Sequence, residues 1–86
     1  MDQRLQNVFG RALKLRPAEI AALSETDTIH SVRNWDSMGH FLLVVELEKE
    51  YHTSISSEEA IRLATIALVV QLLQKKGVLD PGVSSS

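Results

Sequence analysis

Leu5, Val8, Phe9, Ala12 and Leu13 recur at the spacing i, i+3, i+4, i+7, i+8. That spacing puts all five on one face of an α-helix, and the stripe then needs a second element to cover it. Asp2 stands before the stripe, where an N-cap or first-turn acid belongs. Pro17 ends the segment, because the residue before a proline is pushed out of the α region. With 86 residues and no cysteine, the chain must hold itself together by burying such faces. A disulfide framework, a thiolate zinc site and a cysteine nucleophile are excluded. The length supports one domain, expected over residues 1–78, with a flexible C-terminal tail over 79–86 (Asp80-Pro81-Gly82-Val83 and three serines at the end).

The rest of the chain reads mainly as helix. Pro17-Ala18-Glu19-Ile20 suits a short helical turn with proline at its first position. The cluster Ser24-Glu25-Thr26-Asp27-Thr28 reads as loop. Residues 16–35 are therefore expected to form a long packed loop, pinned by Ile20, Leu23, Ile29, Val32 and Trp35 and lying near the working site. Asp36 is an N-cap for a helix from Met38 to Tyr51. Its apolar positions exceed one stripe, with Met38, Leu42 and Val45 on one side and Leu43, Leu47 and Tyr51 on another. Such a helix is buried on two sides or offers an apolar strip to something else. Ser56 and Glu59 have the capping-box spacing and open a short helix to about Leu63, with Ile55 as a hydrophobic staple. Thr65 caps a last helix that ends at Lys75-Lys76-Gly77, with cations and glycine where a helix C-terminus favours them. The predicted fold is an all-α four-helix bundle: three main helices plus a short third helix, no strands, and a long loop between helices one and two.

Charge narrows the partners. The formal net charge is −2 and the basic residues are scattered, which argues against nucleic acid. From Asp36 to Glu59 the acids Asp36, Glu46, Glu48, Glu50, Glu58 and Glu59 face a single base, Lys49, so the middle of the chain is expected to attract basic partners or simply to be a solvated face. The apolar run Ile66–Val70 is far short of a membrane span, and the N-terminal residues lack the apolar core of a secretory signal. A cytoplasmic monomer is expected, and the sequence leaves open whether the domain stands alone or belongs to a larger synthase.

The segment Trp35-Asp36-Ser37-Met38-Gly39-His40, at the head of the second main helix, resembles the attachment site of acyl and peptidyl carrier proteins, whose hallmark is Asp-Ser-Leu or a close variant. The resemblance runs on through Phe41-Leu42-Leu43, the helix end at Glu46-Leu47-Glu48-Lys49-Glu50-Tyr51, Ile55-Ser56, and Thr65-Ile66. It is nearest to carriers of polyketide-like and other specialised pathways. It implies that a phosphopantetheinyl transferase moves 4′-phosphopantetheine from coenzyme A onto Ser37. The cofactor's thiol, and no side chain of this protein, would then hold an acyl or aminoacyl intermediate as a thioester, with no catalysis by the chain itself. The implied partners are that transferase, a loading ligase or acyltransferase, and pathway enzymes such as ketosynthases or condensation-type enzymes. Asp36 would cap the helix and help orient the transferase. Met38, Phe41, Leu42, Glu46 and Glu48 would form the docking surface. Met38 replaces the usual leucine, and Leu42 stands where fatty-acid carriers typically have an acid. Those departures imply enzymes that read a more hydrophobic face. A phosphodiester on Ser37 also suits the positive end of a helix.

Plainer readings stand beside these. Ser37 and Asp36 both suit helix caps. Ser37 and His40 are one turn apart, but no orienting group or oxyanion hole accompanies them, so hydrolysis is not expected. His30, His40 and His52 lack metal-ligand spacing and are expected at the surface. Trp35 is expected to anchor the loop by packing, and Phe41 and Leu42 to be core or partner contacts. The alternative function is a non-catalytic helical interaction module whose apolar second helix binds a partner helix and whose Asp-Ser is an incidental cap.

Overall fold

The computed structural model describes residues 1–79; residues 80–86 of the expected tail lie outside the described residues. Five helices follow one another: α1 (Gln3–Leu13), α2 (Pro17–Ala21), α3 (Ser37–Tyr51), α4 (Ser57–Ile61) and α5 (Ile66–Lys75). Among the described residues the only β pairing is an isolated antiparallel bridge between Thr28 and Thr65, so the domain is all-α. The expected count of four helices rises to five, because the turn at Pro17 is a helix in its own right.

The helix boundaries sit where the capping chemistry places them. The Asp2 side chain accepts from Leu5 N (3.1 Å), Ser56 from Glu59 N (3.1 Å) and Thr65 from Leu68 N (3.1 Å). Each supplies an acceptor to a donor that has no partner inside the helix. At the other end of α1, Lys14 adopts the left-handed conformation with φ 55° and donates its N–H to Gly10 O.

All five residues of the α1 stripe are buried. They meet Leu43, Leu47 and Tyr51 of α3 and Ile66, Val69, Val70 and Leu73 of α5 in one core. Each large apolar side chain removed from water stabilises the fold by about 1.5–3 kcal/mol before the cost of ordering it. The two faces read on α3 have different fates. Gly39, Leu43, Leu47 and Tyr51, four apart, form the buried line, while Met38 and Phe41 are exposed. Leu42 and Val44 are half-buried against the core. The pinning residues of the loop behave as expected: Leu23 and Trp35 are buried, and Ile20, Ile29 and Val32 pack partly buried against the core. The loop also caps the head of α5, where Ile66 N donates to Asp27 O (3.0 Å) and Ala67 N to Glu25 O (3.1 Å). Leu79, placed in the tail by the sequence, packs half-buried against the core together with Val78.

The acidic middle of the chain is largely matched from within. Arg4 Nε meets Glu50 Oε2 at 2.6 Å, and Arg11 reaches Glu50 (3.0 Å) and Glu46 (3.3 Å), joining α1 to α3. The hydrogen bond from Arg4 holds the Glu50 carboxyl below its ordinary range. Lys76 pairs with Glu59 (3.1 Å). Of the six acids between Asp36 and Glu59, Glu58 alone lacks a partner among the described residues. Glu46, Glu50 and Glu59 are thus charge-paired within the chain, whereas Asp36 and Glu48 accept only from backbone N–H groups. The arginines that pair with Glu46 and Glu50 lie 35–46 residues away in sequence. Among the described residues no helix is long and apolar enough to cross a membrane.

Candidate functional site

The N-terminus of α3 is built by the residues on either side of Ser37. Asp36 is extended, and its Oδ1 accepts from Gly39 N at 2.8 Å while its carbonyl accepts from His40 N at 2.7 Å. This cap fixes the first turn. Ser37 is the first residue of the helix and is exposed. Among the described residues its hydroxyl has no hydrogen-bond partner, and neither do the N–H groups of Ser37 and Met38. An accessible hydroxyl therefore stands beside unmatched donors at the positive end of a 15-residue helix. That setting suits a negatively charged ester.

The loop reaches this tip through Asn34 and Trp35. Asn34 adopts φ 66°, and its Nδ2 donates to Leu13 O (2.8 Å), so the end of α1 and the head of α3 are tied together. Arg33 adds a bond from Nη2 to Lys14 O (3.2 Å) and an ion pair from Nε to Glu19 (2.8 Å), which lowers the Glu19 pKa. Gly39 is buried under this loop. A Cβ there would overlap the Asn34 carbonyl oxygen and stand 2.9 Å from Leu13 Cδ2. The space left by Gly39 is filled by loop backbone, so the glycine is what permits the close approach.

Trp35 is 3% exposed and packs edge-on against Phe9, with ring centres 5.3 Å apart. Its Nε1–H donates to His40 Nδ1 at 2.9 Å, and the two rings are nearly parallel at 6.2 Å. His40 Nε2 lies 2.7 Å from the Ala60 carbonyl at the end of α4. An indole N–H can only donate and a carbonyl can only accept, so His40 Nδ1 is bare and Nε2 carries the hydrogen. The surface position expected of His40 is thus corrected: it is half-buried and bridges the loop, α3 and α4. His30 and His52 are exposed. Because both His40 nitrogens are taken, none is left for Ser37, and the Ser-His pair suggested by spacing does not form.

The expected docking residues separate into two sets. Met38 and Phe41 are 66% and 63% exposed beside Ser37, and Leu42 is half-buried next to them. Glu46 and Glu48 are turned to internal work. Glu46 pairs with Arg11, and Glu48 Oε2 accepts from Ile55 N at 2.8 Å, holding the connection between α3 and α4. Next to the serine an open cleft of about 270 Å³ runs between the end of α1 and the head of α3. Its apolar wall includes Ala12, Leu13, Met38 and Leu42, and its polar groups are Lys14, Asn34 and Asp36. Lys14 and Asn34 escaped the sequence reading, because each depends on a contact 19–21 residues away. A glycine in the first turn of a helix, where alanine is the better helix former, was the one local signal of that contact. Comparison with known proteins finds no family model that matches the chain, and no curated protein that matches it.

Proposed function

We propose that this is a carrier protein of the acyl or peptidyl carrier type, with 4′-phosphopantetheine esterified to Ser37. The observation that supports the reading most is the state of that hydroxyl: exposed, unbonded, and next to the unmatched N–H groups of a capped helix tip. A transferase can reach such an oxygen. The ester forms as the pyrophosphate bond of coenzyme A breaks, and the new phosphodiester sits where the helix favours an anion. When bound, the group supplies a thiol that holds acyl or aminoacyl cargo as a thioester. Asp36 fixes the turn that carries Ser37, and Met38, Phe41 and Leu42 supply apolar surface for a loading ligase or acyltransferase and for ketosynthase or condensation-type enzymes. On this reading α1, α3, α4 and α5 form the four-helix bundle of a carrier, α2 is an elaboration of its first loop, and the protein works as a cytoplasmic monomer.

Intact-mass measurement after incubation with coenzyme A and a phosphopantetheinyl transferase tests the proposal. One phosphopantetheinyl group should be gained by the native chain and none by Ser37→Ala. No gain, or a gain that survives the substitution, removes the carrier reading. The exposure of Met38 and Phe41 would then favour the alternative, a helical module that binds a partner through this face of α3.

A further inference from the structure

We infer that the cleft between the end of α1 and the head of α3 is a seat for the near half of the prosthetic arm: its phosphodiester, gem-dimethyl carbons and first amide. The inference rests on the carrier reading of Ser37 and adds where the arm lies. The cleft touches the residues immediately before and after the serine, Asp36 and Met38, so a chain starting at Ser37 Oγ begins at its rim. The cleft is open to solvent, and its volume of about 270 Å³ leaves room for a segment of roughly a dozen heavy atoms lying along it.

The lining holds groups suited to each part of the arm. Lys14 is the one cation on the cleft wall; it is exposed and makes no ion pair among the described residues. It is available to a phosphodiester. Exposed Met38 and half-buried Leu42 offer apolar carbon to the gem-dimethyl group, while Ala12 and Leu13 are buried beside them. Asn34 commits its Nδ2 to Leu13 O, which leaves its Oδ1 as an acceptor, and Asp36 commits Oδ1 to Gly39 N, which leaves Oδ2. Either oxygen can take an amide N–H of the arm. The walls are held in place before anything binds. Asn34 is clamped to α1, and its carbonyl closes onto Gly39, so the seat requires little reorganisation.

The experiment loads the full chain from isotope-free coenzyme A onto ¹³C,¹⁵N-labelled protein, confirms loading by mass, and records isotope-filtered NOEs from the arm. The expected result is contact between the gem-dimethyl protons and the methyls of Met38 and Leu42. These contacts should be lost or weakened severalfold in Met38→Ala, and the ³¹P resonance should shift in Lys14→Gln. Both substitutions are at exposed positions and leave the core intact. Full loading with an arm that shows no protein contacts, or contacts at Ile61 on α4, overturns the seat and leaves the carrier reading standing. Absence of loading removes both.

Discussion

Gly39→Ala tests the claim that the loop is pressed onto the head of α3. In an exposed helix the substitution stabilises by about 0.5–1 kcal/mol, because alanine is the better helix former. Here the added carbon lands on the Asn34 carbonyl oxygen, with Leu13 Cδ2 at 2.9 Å. The obstacle is backbone, and Asn34 cannot retreat without stretching its 2.8 Å bond to Leu13 O. Overpacking of this kind costs about 1–3 kcal/mol, and the upper end applies because no side-chain rotation relieves it. Subtracting the propensity gain leaves about 2 kcal/mol of destabilisation, a Tm lower by about 8–16 °C for a domain of this size. Gly10→Ala is the internal control. Its Cβ would meet the Ile20 side chain, with Cγ1 at 2.8 Å, and that side chain can rotate or carry the short α2 outward. Its stability should stay within about 1 kcal/mol of the native chain. Urea denaturation with unchanged slope reads both. A Gly39→Ala protein as stable as the native chain, or more so, refutes the packing argument.

Three further outcomes are expected. Asp36→Ala should lose about 1 kcal/mol with the Gly39 cap, while Ser37→Ala should stay within about 0.5 kcal/mol, since its hydroxyl bonds to nothing described; equal losses in urea titrations would contradict the division of roles. His40→Phe leaves the buried Trp35 N–H and the Ala60 carbonyl without partners and should cost about 1–3 kcal/mol, with faster hydrogen exchange across α4; unchanged α4 exchange would show that the bridge does not hold that helix. The Tyr51 hydroxyl is buried with no hydrogen-bond partner, and burial pushes its pKa up from 10.0 to about 12. The folded chain then holds this proton longer than the unfolded chain, so its contribution is whole below pH 10 and is lost between pH 10 and about 12. Tyr51→Phe should flatten that alkaline decline without destabilising the protein at neutral pH, as followed by thermal melts across the range.

What could be read from the sequence was what lies within four residues. Asp2, Asp36, Ser56 and Thr65 each sit next to the donors they cap, so the helix starts were legible, and the α1 stripe foretold a buried face. The place of Ser37 at the head of α3 was legible for the same reason. The helix at Pro17 was read only as a turn; besides the local bond from Arg16 N to Glu19 Oε1 (2.8 Å) it has tertiary support, as Ile20 packs over Gly10 and Ile20 O accepts from Gln6 Nε2 at 3.2 Å. His40 looked like a surface residue because Ala60, 20 residues on, supplies its second partner. The acids of α3 looked free because their arginines are on α1. In each case the missed partner came from another helix, which no local pattern encodes.

The contacts missed in this way tie the helix tip to α1, the loop and α4. From Asn34 to His40, five of seven residues are committed: Asn34 to α1, Trp35 to Phe9 and His40, Asp36 to the cap, Gly39 to the loop backbone, and His40 to α4. Only Ser37 and Met38 are left, and both face solvent. A helix start that needed nothing more than a cap would be complete with Asp36 and Gly39 N. The additional ties hold the backbone that carries Ser37 from α1, the loop and α4 at once while leaving its hydroxyl unbonded. Preorganisation of this kind favours a group that another protein must find in a fixed position, because the entropy of ordering it has already been lost on folding.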